Sequence, residues 1–146
     1  DVGATGYESR EELDVADDLK ARMESIRLAV GELMNLGDVA SKSVPKMMLV
    51  APPRHGGAVT VRSFIPHRAH ASIGVLGAVS VATACLIDGS PATDVADIPE
   101  GVRKTMSIEH VSGETTCVME LDSTGVVTSA AMLRTARKLM DGKVFA

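Results

Sequence analysis

Ala69-His-Ala-Ser-Ile-Gly-Val-Leu-Gly-Ala-Val-Ser-Val-Ala-Thr-Ala-Cys-Leu-Ile87 is the stretch that breaks the rhythm of the chain. It holds no Asp, Glu, Lys or Arg, so a helix over 69–87 has no charged face to turn toward water. A helix that is apolar all round is buried all round. A run of roughly 19 residues also reaches the length of a membrane span. Small and hydroxylated residues dominate it, however, and no belt of basic and aromatic residues brackets both ends, so no membrane partner is expected. Gly74, Gly77, Ala78 and Ala82 let neighbouring backbones come close. The fold therefore turns on what surrounds this helix.

Working outward, the surroundings are strands. Residues 46–51 form a short apolar run set off by Pro45 and by Pro52-Pro53, and Ala58–Ile65 alternates, with Arg54-His55-Gly56-Gly57 turning between them. That pattern predicts a hairpin. After Asp88-Gly89-Ser90-Pro91 and a loop holding Pro99, strands resume over Thr105–Val111, Thr115–Leu121 and Val126–Leu133. Arg134–Met140 suits either a continued strand or a helical turn. Upstream, Leu19, Met23, Ile26, Val30 and Leu33 recur at steps of four and three, which predicts an outer amphipathic helix from about Asp17 to Gly37. The expected class is α+β in a single domain over 1–146, with a curved, barrel-like β-shell around a central buried helix.

The chain has 146 residues, 15 Lys plus Arg against 19 Asp plus Glu, and a net charge of −4. Apolar residues make up 45% and charged ones 23%, the balance of a folded soluble domain. With two Phe, one Tyr and no Trp, the stacking platforms of single-strand binders are absent, and the overall charge argues against nucleic acid as a partner. Cys85 and Cys117 lie in apolar stretches without ligand spacing, as expected of buried reduced thiols in a cytoplasmic protein.

Charge is distributed unevenly. The opening is acidic, with Glu8, Glu11, Glu12, Asp14, Asp17, Asp18 and Glu24. Between Asp38 and Asp88 there is no acid at all, while Lys42, Lys46, Arg54, Arg62 and Arg68 join His55, His67 and His70. A continuous cationic zone in an acidic chain points to an anionic partner, either carboxylate or phosphate. His67, Arg68 and His70 lead into the apolar helix, whose free N-terminal amides would add to an anion site. His67 and His70 lack a third ligand nearby, so no metal is expected. Neither Gly3-Ala-Thr-Gly6 nor His55-Gly56-Gly57 matches a phosphate-loop pattern.

Four segments carry a resemblance. They are Asp1-Val-Gly-Ala-Thr-Gly-Tyr-Glu8, Ser43-Val-Pro-Lys-Met-Met-Leu-Val-Ala-Pro-Pro-Arg-His-Gly-Gly57, Phe64-Ile-Pro-His-Arg-Ala-His-Ala-Ser-Ile-Gly-Val-Leu-Gly-Ala78 and Arg134-Thr-Ala-Arg-Lys-Leu-Met-Asp-Gly-Lys-Val-Phe145. In this order they resemble the methylitaconate isomerase and 4-oxalomesaconate tautomerase family, and most closely its 4-oxalomesaconate branch, which acts in aromatic-acid breakdown. The resemblance implies a diaminopimelate-epimerase-like fold of two similar halves, with the active site between them. This chain is similar to the C-terminal half, with Asp1 just after that half's expected start. The implied partners are the N-terminal half of the same enzyme and a small unsaturated di- or tricarboxylate. A lone half would expose the apolar side of its cleft, so self-association into a homo-oligomer or poor solubility is also expected.

The implied reaction is a 1,3-allylic proton shift without a cofactor. The family's proton-transfer Lys and Cys belong to the N-terminal half, so no catalytic residue is expected here. Epimerase relatives place a Cys at the start of each central helix; Ala69-His-Ala-Ser-Ile-Gly74 has none, and Cys85 lies at the far end. What remains for this half is substrate holding. His67, Arg68, His70 and the amides near Ser72 are the expected carboxylate seat, with Lys42, Ser43, Lys46 and Arg54 as further cleft-lining candidates. The alternative is a free-standing carboxylate- or phosphate-binding domain without turnover.

Overall fold

The acidic opening folds into two helices where one was expected. In the computed structural model, which describes residues 2–145, α1 spans Arg10–Val15 and α2 spans Asp17–Leu33. Asp1 of the opening motif and Ala146 lie outside the described residues. A reciprocal cap starts α1: the Ser9 hydroxyl accepts from Glu12 N–H at 3.2 Å, and the Glu12 carboxylate accepts from Ser9 N–H at 2.7 Å. The Ser9-x-x-Glu12 spacing was there in the sequence to announce it.

The inward face of α2 also differs from expectation. Leu19 and Met23 are buried as expected, but the stripe continues through Arg27 and Gly31, while Ile26 and Leu33 are exposed. Arg27 is the reason. Its Nη1 donates to the carbonyls of Val39, Lys42 and Val44 at 3.0, 3.1 and 2.7 Å, and Nε pairs with Glu24 at 2.7 Å. The second half of α2 therefore packs on the loop 39–44, where Gly31 lies against the buried Val39 side chain.

Five strands form one sheet in the order β1 (Met47–Ala51), β2 (Val59–Phe64), β3 (Arg103–His110), β4 (Gly113–Leu121) and β5 (Val127–Met132). All lie within two residues of the expected spans. β1 and β2 form the hairpin, from Met47 opposite Phe64 to Ala51 opposite Thr60. β2 and β3 are parallel, pairing Val59 with Ile108 and Thr60 with Glu109; β3–β4 and β4–β5 are antiparallel. A parallel pair requires a crossover, and the apolar stretch supplies it. Residues 133–145 continue neither as strand nor as helix.

The sheet has a core on each face. Val59 and Val61 of β2, Met106 and Ile108 of β3, and Cys117 and Met119 of β4 meet Ala78, Val81, Ala82 and Cys85. On the other face Phe64, Met47 and Leu49 meet Leu13, Leu19 and Met23. The alternating side chains of β2 thus divide between two covered faces, and every residue of that strand is buried.

The central helix is shorter and less enclosed than the expected 69–87. It is α3, Val75–Ala84, with Leu76 83% exposed. Residues 69–72 belong instead to a non-helical lead-in: Ala69 bridges Phe64, His70 N–H donates to the Ser63 carbonyl at 2.8 Å, and Ala71 O accepts from Ser112 N–H. One face of α3 meets the sheet, and nothing among the described residues covers the opposite side of its first turn. The sheet is open, with β1 and β5 at its edges, so the five strands do not by themselves form a closed barrel. No helix of the described residues is long and apolar enough to cross a membrane.

Candidate functional site

Beyond His110, where β3 ends beside the still-running β2, the sheet leaves a small cavity of about 160 Å³. Tyr7, Arg54, His55, Thr60, Arg62 and His110 line it, with Glu109 beneath. Its first element is the turn between β1 and β2. The Glu109 carboxylate accepts from the backbone N–H groups of Arg54 at 2.8 Å, His55 at 2.7 Å and Gly57 at 2.9 Å, and from the Thr60 hydroxyl at 2.7 Å. Burial alone would raise the Glu109 pKa, but these four donors outweigh it and bring it down to about 2. Glu109 is therefore a fixed anion that organises the turn.

Arg54 extends from that turn over the ring of Tyr7, its guanidinium carbon 3.3 Å from the ring centroid. Tyr7 is held to the same turn by its hydroxyl, which donates to the Pro52 carbonyl at 2.9 Å. Beside them lies Arg62, 8% exposed on β2. Its Nε donates to the Glu8 carbonyl at 2.6 Å and Nη1 to the Val61 carbonyl at 2.8 Å. Among the described residues neither Arg62 nor Arg54 is in an ion pair. Burial lowers the Arg62 pKa, helped by the charge of Arg54 and opposed by Glu8 and Glu109, yet a guanidinium stays protonated. A buried cation served only by carbonyl oxygens attracts an anion.

His110 completes the wall. Its Nε2 lies 3.4 Å from the Ser72 hydroxyl and 3.3 Å from the Thr115 hydroxyl. Burial, with Arg62 and His70 adding positive charge, holds its pKa below the ordinary imidazole value, against a backbone hydrogen bond at Glu114. His110 is therefore neutral at pH 7 and serves as a hydrogen-bonding group. Cys85 and Cys117 are both buried, and burial pushes the Cys85 thiol up to about 11, so neither is poised as a nucleophile.

The residues expected from sequence are spread over several places. Arg54 lines this cavity, and Ser72 reaches it through His110. His70 and Arg68 line a neighbouring hollow of about 350 Å³ together with Arg10. His67 turns away, its Nδ1 3.6 Å from Glu24. Lys42 donates to the Leu36 carbonyl at 2.9 Å, and Ser43 and Lys46 are exposed near that loop. The amides near Ser72 are not those of a helix start, since α3 begins at Val75 and Ser72 N–H donates to His70 Nδ1 at 3.0 Å. Sequence reasoning counted Arg62 within the cationic zone without choosing it for the site, and missed Glu109, His110 and Tyr7. Arg62 left a trace, a charge set between Val61 and Ser63 in a strand buried throughout. Glu109 left none, because its role depends on the β2–β3 register. Among the described residues, no group of three or more His, Cys, Asp or Glu could hold a metal ion.

Comparison with known proteins adds to this geometry. A family model described as "PrpF protein" matches residues 1–146. The chain is 76% identical over 145 residues to (4E)-oxalomesaconate Delta-isomerase of Novosphingobium sp. (strain KA1), covering 99% of this chain and 41% of that protein. It is 55% identical over 144 residues to 4-oxalomesaconate tautomerase of Pseudomonas putida, covering 99% and 40%. A putative isomerase of Escherichia coli K12, YbhH, is 37% identical over 145 residues. Among solved structures, the crystal structure of methylitaconate-delta-isomerase shares the fold, with a TM-score of 0.78 at 24% identity, over 97% of this chain and 41% of that one. The chain thus spans about two fifths of the length of the relatives it matches.

Proposed function

The chain belongs to the PrpF family, and from that premise we propose that it is the carboxylate-holding part of a cofactor-independent isomerase. The reaction is a 1,3-allylic proton shift in an unsaturated di- or tricarboxylate, with 4-oxalomesaconate, an intermediate of aromatic-acid catabolism, as the first candidate substrate. The names of the 76% and 55% identical relatives support that choice of substrate. The protein acts in the cytoplasm, on a soluble acid.

The observation that carries the proposal is Arg62: buried, charged and without a carboxylate partner among the described residues, next to Arg54 and His110. A substrate carboxylate entering the cavity meets two guanidinium forks and an imidazole N–H, and replaces the water it leaves with fixed charge. His70, Arg68 and Ser72, on the adjoining segment, receive a further carboxylate of the same molecule. His67, Lys42, Ser43 and Lys46 lie further out, and of these the two lysines steer rather than hold. An allylic proton shift builds negative charge on the substrate as the proton leaves, and neighbouring cations favour that charge as well as the bound acid. The groups that remove and return the proton are supplied by the remainder of the longer protein, which closes the cleft and completes the β-shell around α3.

The test is made on the full-length protein. In deuterated buffer, 4-oxalomesaconate gains label at the carbons exchanging the proton. Arg62→Ala raises KM by about 10- to 100-fold, the loss of a charge-assisted contact, with a smaller change in kcat. Arg62→Lys recovers part of it, since the charge returns without the planar fork. No label uptake removes the isomerase reading, and an unchanged KM in Arg62→Ala removes Arg62 from the substrate.

A further inference from the structure

We propose that Glu109 is a positioning residue: by binding the backbone of the turn 54–57 it sets Arg54 over Tyr7, where the substrate's carboxylate meets it. The inference rests on Arg54 as a carboxylate-holding group and goes beyond it, since Glu109 itself touches no substrate.

Both oxygens of Glu109 are fully engaged. Oε1 accepts from His55 and Gly57, Oε2 from Arg54 and Thr60, and the residue is 5% exposed. Three N–H groups of one turn converge on an anion supplied by the protein's own strand. Without it these donors would lose their partner at the floor of the cavity. The turn's sequence is fitted to the carboxylate. A Cβ at Gly57 would lie 2.7 Å from Glu109 Cγ, 2.9 Å from Oε1 and 2.9 Å from the Ser107 carbonyl, and Gly56 holds φ +83°. Strand pairing has other support, because the β2–β3 register brings Val59 to Ile108 and Thr60 to Glu109 through the backbone. What depends on the carboxylate is the exposed part of the turn, residues 54–56. Its functional product is the Arg54 guanidinium, stacked on a ring that is tied to the same turn through Pro52.

A double-mutant cycle on the full-length protein with 4-oxalomesaconate decides it. Arg54→Ala raises KM about tenfold. Glu109→Gln, whose amide nitrogen cannot accept from N–H groups, raises KM about five- to tenfold with kcat within about twofold of wild type. In the Arg54→Ala background, Glu109→Gln adds no further change in KM, because its effect passes through Arg54. Independent, multiplying effects on KM overturn the positioning role while leaving Arg54 in the site, as does a fall in kcat at constant KM. An unchanged KM in Arg54→Ala alone overturns the reading of Arg54, and this proposal with it. If circular dichroism shows that Glu109→Gln does not fold, the cycle is run with Thr60→Val, which removes one of the four bonds. Thr60→Ser then recovers KM relative to Thr60→Val, and the same non-additivity decides.

Discussion

Arg27 and Arg62 are both buried arginines, and what they touch separates their roles. Arg27 is matched by Glu24 and three loop carbonyls, so its charge is spent inside the fold. Arg62 has carbonyls but, among the described residues, no carboxylate, so its charge remains available. Neither was distinguishable by type or spacing, because the difference lies in which distant segment each meets. Glu109 adds a dependence on acid. Its folded pKa of about 2 lies below the ordinary carboxylate value, so the stabilisation it gives is complete above about pH 4.5 and is lost as pH falls toward 2. Glu8, Glu24 and Asp122 are also held below their ordinary values and add to the same slope. The expected outcome is that urea unfolding between pH 5 and 3 shows a shallower loss of stability in Glu109→Gln than in wild type. Equal slopes would mean that Glu109 is not the anion inferred from its four donors.

At the scale of elements, the strands were legible because a period of two survives any topology. The alternation of Val59, Val61 and Ser63 against Thr60, Arg62 and Phe64 became two covered faces. The parallel pairing of β2 with β3 was not legible, since no local pattern encodes which strand a crossover returns to. The extent of α3 was overestimated for a related reason: apolar composition does not distinguish a helix from a non-helical lead-in, and the hydrogen bond that ties Ala71 to Ser112 comes from a distant part of the sequence. Two of the close glycine approaches, at Gly77 and Gly57, differ in kind. At Gly77 a Cβ would meet the flexible end of Met48 at 2.7 Å and Ile73 Cγ1 at 3.3 Å, side chains rather than backbone, so Gly77→Ala should be nearly neutral, its helix gain of up to about 1 kcal/mol offset by small shifts of Met48 and Ile73. At Gly57 the obstacles include the Ser107 carbonyl and an anchored carboxylate, so Gly57→Ala should cost about 1–3 kcal/mol in denaturant unfolding. The reverse order would mean that the turn yields more readily than α3.

Across the whole molecule, apolar side chains collect where nothing covers them. Val75 and Leu76 at the head of α3 are exposed, as are Leu133, Leu139, Met140, Val144 and Phe145 beyond β5. Surfaces of this kind seek a partner. This chain on its own should show a sedimentation coefficient that rises with concentration, and co-expression with the rest of a full-length relative should suppress that rise. A concentration-independent monomer would mean that the apolar tail folds back on the sheet. An uncovered apolar surface was expected from the family resemblance, which implied a missing half, but the residues that form that surface emerged only with the topology. Composition has one more consequence. The chain has a single Tyr and no Trp, and that Tyr lies under the Arg54 guanidinium. Nearly all of this chain's ultraviolet emission therefore originates from one ring at the mouth of the cavity, so the polypeptide carries an intrinsic optical gauge of whether Arg54 is stacked or drawn away, with no label attached.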